Sequence, residues 1–178
     1  MQFWQIIRAD LQAMGVEKPS FLGGVSMFFL SPRFLAVFLF RCSSYFSGKN
    51  IFSKFLRRFF WRLNCFLTSC DIHIEARIGE GLNLPHPCGV VIGRATIGKN
   101  VTILQHVTLG SADFSKLGKD YDEMPKIGDK VTIYAGAVVI GGVNIGNGAQ
   151  IGANAVVNIS VPDGGIAVGI PAKIIQRK

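Results

Sequence analysis

The chain contains no C-x-x-C pair, and its four cysteines, Cys42, Cys65, Cys70 and Cys88, show neither metal-ligand nor disulfide-framework spacing. They read as reduced, mostly buried thiols of a cytoplasmic protein, with Cys88 a packing residue rather than a nucleophile. Long apolar runs are missing as well. A membrane span needs about 18–20 uninterrupted apolar residues. The best stretch, 21–40, is broken by Ser31, Pro32 and Arg33, and its longest clean run is FLAVFLF. The opening MQFWQIIRADLQ has no apolar signal-peptide core and no cleavage site. Acidic residues are scarce up to residue 70, where only Asp10 and Glu17 stand against nine Lys and Arg. Phenylalanine is scarce after that point: of fourteen, only Phe114 follows Phe66.

These two scarcities divide the chain near residue 70 into unlike materials. Residues 1–69 are expected to form a helical, aromatic and basic subdomain, and residues 70–178 a second domain with a loop at 111–126 and a C-terminal tail. Ser31-Pro32 marks a helix start, with Ser as N-cap and Pro at the first helical position. Pro19-Ser20 is a weaker start. In IFSKFLRRFFWRLNCFL, Phe52, Phe55, Phe59 and Phe66 recur near helical spacing, with Lys54, Arg57, Arg58 and Arg62 beside them. Such a helix packs its aromatic face on the second domain or on a neighbouring subunit. Alternatively, it rests a basic amphipathic face on an anionic membrane at the inner surface of the cell. The positive charge is interleaved with bulky apolar residues and carries no nucleic-acid-binding motif, so no nucleic-acid partner is expected.

The second domain has a period of six. Val91, Ile97, Ile103 and Leu109 keep the stride, which resumes at Ile127 and runs through Ile133, Val139, Ile145, Ile151 and Val157. Ile72, Ile78 and Leu84 form an earlier set, with one extra residue before Val91. Four residues after each lead from Val91 onward stands a small or β-branched apolar residue, with Asp113 the exception. Gly or Asn recurs three after the lead, at Asn100, Gly136, Gly142, Gly148 and Asn154, residue types that tolerate left-handed backbone. Six-residue spacing suits neither a helix of period 3.6 nor a half-buried strand of period two. It describes a solenoid of flat coils with tight corners: a mainly β fold, a parallel β-helix with an N-terminal α-helical subdomain. Residues 111–126 break the period and read as a polar loop thrown out from a coil.

Residues 70–178, through DIHIEARIGEGLNLPHPCGVVIG, VTILQHVTLG, PKIGDKV and AVGIPAKII, resemble the left-handed β-helix acyltransferases with hexapeptide repeats. More narrowly, they resemble the serine O-acetyltransferase branch and its relatives in polysaccharide clusters. The resemblance implies a left-handed helix, a homotrimer, a site between subunits and acetyl-CoA as co-substrate. It also implies a catalytic pair, which maps onto Asp71 and His86. Neutral imidazole can take the proton of an attacking hydroxyl, and an aspartate on its other nitrogen stabilises the imidazolium. The CoA-binding positions carried over are Gly110, Ser111, Ala135 and Ala153, with Lys173 placed for the CoA phosphates. His73 and His106 lack metal-ligand spacing, and no metal is expected.

The chain departs from the serine enzymes at three positions. Pro85 stands where they carry Asp before the catalytic His, and Glu123 and Met124 stand in place of an Arg-His pair before P-K-I. An unpaired buried ammonium or carboxylate is costly. The expected acceptor is therefore a hydroxyl of a sugar or glycan precursor in surface polysaccharide synthesis. Serine O-acetylation for cysteine synthesis is the alternative, and a catalytically idle β-helix scaffold is a third reading.

Overall fold

The computed structural model describes residues 3–16, 31–113 and 123–175. Pro19-Ser20 and most of the loop at 111–126 lie outside them. Among the described residues three helices precede the strands: α1 (Phe3–Ala13), α2 (Pro32–Tyr45) and α3 (Ile51–Thr68). The Ser31-Pro32 start is realised as expected, with Ser31 extended and Pro32 opening α2, although the Ser31 side chain makes no cap bond. Helix α3 has a true side-chain cap, in which Asn50 accepts from the Ser53 N–H at 2.7 Å.

From Asp71 onward the chain winds as a three-sided prism of short parallel strands. One face stacks β1 (Asp71–Ile72), β3 (Val91–Ile92), β6 (Thr108–Gly110), β9 (Val138–Ile140) and β12 (Val156–Val157). The second stacks β2 (Arg77–Ile78), β4 (Thr96–Ile97), β7 (Lys126–Ile127) and β10 (Asn144–Ile145). The third stacks β5 (Thr102–Ile103), β8 (Thr132–Ile133), β11 (Gln150–Ile151) and β13 (Ile166–Val168), and β14 (Lys173–Ile175) closes it antiparallel. An isolated bridge from Asn83 to Thr102 carries this face down to the first coil.

The six-residue count names the core. Ile97, Ile103, Leu109, Ile133, Val139 and the leads above them are buried, as are the small partners four residues on, such as Ala95, Val101 and Ala137. Burying one Ile or Val stabilises by about 1.5–3 kcal/mol relative to exposing it. Two leads depart: Ile78 is only partly buried, and Val91 is 42% exposed, with Ile92 pointing inward instead. Leu84 to Ile92 takes eight residues where Ile103 to Leu109 takes six, because the turn that carries Pro85, His86 and Pro87 is longer than the turns above it. Left-handed backbone falls at Asn100, Gly136, Gly148 and Asn154 as expected, but at Gly141 rather than Gly142.

Candidate active site

Each coil turns from the third face onto the first at one edge of the prism, and four such turns stack there. His106 N–H donates to the Cys88 carbonyl at 3.1 Å, Gly136 N–H to Gln105 O at 2.9 Å, and Asn154 N–H to Ala135 O at 2.9 Å. This ladder is possible because His106, Gly136 and Asn154 adopt positive φ and swing their amides toward the coil below. His86, in the lowest turn, is exposed; Ala135 and Ala153 stand coil by coil above it. The edge is thus a histidine at the base of a strip of small side chains. Gly89 (φ +69°) supports the His86 turn, since a Cβ there would collide with the His106 imidazole. Cys88 is exposed rather than packed, so the expectation of a buried thiol fails there. The turn needs its carbonyl, and the side chain is left outside. Gln105 presents its Oε1 on this edge with no hydrogen-bond partner among the described residues.

Asp71 opens β1 at the foot of the same edge. Its N–H donates to Val90 O, and Gly89 N–H donates to Ser69 O, both at 2.9 Å, so β1 and the His86 turn are tied through the backbone. The carboxylate is exposed and accepts from Trp61 Nε1 at 2.9 Å; among the described residues no bond joins it to His86. The Cys65 thiol is pushed up by burial and then by the charge and hydrogen bond of Asp71, which places it beside the carboxylate. Trp61 and Cys65 lie one turn apart on α3. Sequence reasoning missed both, because the helix's crossing over β1 is a tertiary fact.

The remaining expected CoA positions do not gather on this edge in a single chain. Gly110 and Ser111 lie at the next edge, where the loop departs, and the Ser111 hydroxyl bonds back to Asp113, accepting its N–H at 3.1 Å and donating to its carbonyl at 3.0 Å. Lys173 is exposed at the start of β14, at the far end of the prism. Met124 is buried, and its terminal methyl covers Gly93, where a Cβ would collide with it. Glu123 and Pro85 are half-buried. No group of three or more His, Cys, Asp or Glu that could hold a metal occurs among the described residues.

A hexapeptide prism with an exposed histidine, His86, in the lowest turn of an edge that carries Ala135 and Ala153 higher up is the arrangement of a transferase of the hexapeptide-repeat class. Residues 124–158 match the family described as bacterial transferase hexapeptide (six repeats). Serine acetyltransferase of Helicobacter pylori (strain J99) is 44% identical over 124 residues, covering 69% of this chain and 70% of that protein. Serine acetyltransferase of Staphylococcus aureus (strain Mu50) is 46% identical over 117 residues, although the chain spans only 53% of its length. Among solved structures, Neisseria gonorrhoeae serine acetyltransferase in complex with serine superposes with a TM-score of 0.81 at 35% identity, covering 98% of this chain and 69% of that one. A serine acetyltransferase in complex with CoA gives 0.80 at 32% identity, covering 97% and 69%. The chain belongs to the serine acetyltransferase branch of the hexapeptide-repeat transferases, acetyl-CoA-dependent enzymes built on a left-handed β-helix.

These findings overturn the expected sugar or glycan acceptor. That reading rested on three side chains, Pro85, Glu123 and Met124. The relatives carry the name serine acetyltransferase, and one solved structure, with serine bound, covers 98% of this chain, helices and coils alike.

Proposed function

We propose that this protein transfers an acetyl group from acetyl-CoA to the hydroxyl of serine. The observation that carries the reading is the match of nearly the whole chain, helices included, to a serine acetyltransferase with serine bound, with His86 standing exposed at the foot of the edge. His86 takes the proton of the serine hydroxyl as its oxygen attacks the thioester carbonyl. The tetrahedral adduct collapses, the C–S bond breaks, and the proton passes from His86 to the departing CoA thiolate. The products are O-acetylserine and CoA.

Asp71, held in place by Trp61, orients the imidazole and stabilises its cationic form once the site is occupied, when catalytic hydrogen bonds tighten. Ala135 and Ala153 leave room along the edge for the extended CoA chain, and Lys173 serves its phosphates. Gly110 and Ser111, at the neighbouring edge, complete the CoA groove only when another copy of the chain brings that edge beside His86, so a homotrimer is part of the proposal.

The test is thiol release from acetyl-CoA with L-serine as acceptor. The wild-type protein turns over, and His86→Ala loses on the order of a hundredfold or more of kcat. Equal turnover in the variant would remove His86 from the mechanism; silence of the wild type with serine would remove the acceptor.

A further inference from the structure

Helix α3 is amphipathic in the reverse sense for a helix meeting water. Its buried residues are Asn64 and Thr68, both polar. Asn64 Nδ2 donates to the Ala36 carbonyl at 3.0 Å, and the Thr68 hydroxyl bonds back to Asn64. Outward face Ile51, 87% exposed, Phe52 at 67%, Phe55 at 64% and Phe66 at 84%. At 3.6 residues per turn these four fall within an arc of about 100°. Lys54, Arg58 and Arg62, all exposed, run along one flank of that arc, and α3 contains no Asp or Glu.

The aromatic surface continues beyond the helix. Phe55 stacks on Phe59, Phe59 meets Phe60 edge to face, Phe60 stacks on Phe46, and Phe46 meets Tyr45. Tyr45 and Trp4, both largely exposed, meet Phe3 edge to face at centroid distances of 5.2 and 5.3 Å. Apolar bodies with Trp and Tyr at their margin and cations alongside are the composition of a surface lying at a lipid–water boundary. No helix among the described residues is long and apolar enough to cross a membrane, so the contact is one of lying on the surface.

We propose that this aromatic, basic face of α3, with Trp4 and Tyr45 at its margin, docks the enzyme on an anionic lipid bilayer. Charge decides between a bilayer and a second copy of the chain. A second copy laid on this face would bring a chain of net charge +8 against Lys54, Arg58 and Arg62, with no acid on α3 to pair with them. An anionic bilayer accepts both the apolar arc and the cations beside it.

Sedimentation of the full-length protein with phosphatidylcholine vesicles containing about a third phosphatidylglycerol tests this. The protein co-sediments at low salt, far less with pure phosphatidylcholine, and less as salt rises. Lys54→Gln/Arg58→Gln/Arg62→Gln lowers the partition coefficient on the order of a hundredfold, from about one kcal/mol for each basic residue at the surface. Phe52→Ser/Phe66→Ser lowers it about tenfold or more. Acetyl-CoA turnover without vesicles is unchanged in both variants, which distinguishes loss of docking from loss of fold. No binding to the anionic vesicles overturns the proposal. So does a wild-type oligomer that dissociates in the Phe52/Phe66 variant while vesicle binding is absent, which would give the face to a second copy.

Discussion

At the scale of single residues the most informative contact is the one between Trp61 and Asp71. In the proposed mechanism the Asp71 carboxylate orients an imidazole and needs its own position set, and the indole N–H of α3 donates to it. Trp61→Phe keeps the ring and removes the donor. The expected result is a fall in kcat of about tenfold with the KM for acetyl-CoA nearly unchanged, read from steady-state thiol release. A variant with wild-type kcat would leave Trp61 a packing residue.

His73, two residues past the start of β1, behaves differently. Its Nδ1 accepts the Glu75 N–H at 3.1 Å, which requires the neutral ring. Burial lowers its pKa from the ordinary histidine value of 6.5, and Arg94 and Arg57 push the same way, while Glu75 and Asp71 oppose them. The folded state thus prefers neutral His73, and this stability is present above pH 6.5 and lost as the pH falls through and below it. Glu75, held low by its hydrogen bond from Arg94, adds an acid-side loss below 4.5, small because that pair is largely solvated. The melting temperature is expected to drop between pH 7.5 and 5.5, and His73→Asn, which retains an acceptor but does not titrate, to flatten that segment. An unchanged slope would clear His73 of the effect.

At the scale of elements, the helices are clamped to the prism by one buried ion pair. Arg41 of α2 and Asp10 of α1 meet at 2.8 Å with almost no exposure. Asp10 Oδ1 also accepts the N–H groups of Gly81 and Leu82 at 2.8 and 2.9 Å, and Arg41 donates to the carbonyls of Ile78 and Gly79. Every strong group of the pair is thus satisfied, and the first coil's corner is held by both helices at once. Removing one partner strands a buried charge. Arg41→Met is expected to lower the unfolding free energy by about 3–5 kcal/mol in urea titration. A loss under about 1 kcal/mol would mean that the helices are docked by their apolar contacts alone. α3 was expected to pack its aromatic face on the β-helix or on a neighbouring subunit; within the chain it turns Phe52, Phe55 and Phe66 outward and packs Asn64 and Thr68 inward.

At the scale of the molecule, the repeat made the prism legible. Two aliphatic or small residues in every six, with Gly or Asn at the corner, admit few backbones, because each coil buries its lead only against the coils above and below. The exceptions are local and physical. Val91 broke the count because the His86 turn is longer than its neighbours, and a longer turn at one corner shifts the inward position without disturbing the strands on either side. His86 and Asp71 were marked as candidates by the motif around them. Trp61, Cys65 and Gln105 were not, since nothing in their local sequence says which strand or turn they meet.

The sequence by itself determined the period, hence the parallel β-helix, its buried leads and the helical segment before it, because those follow from short-range sterics and burial repeated along the chain. Only the tertiary structure decided which residues share an edge, which groups hold Asp71, that Cys88 lies outside the core, and that the aromatic face of α3 points away from the protein. These depend on how elements far apart in the chain are packed, and side-chain pattern within an element carries no record of the partner it meets.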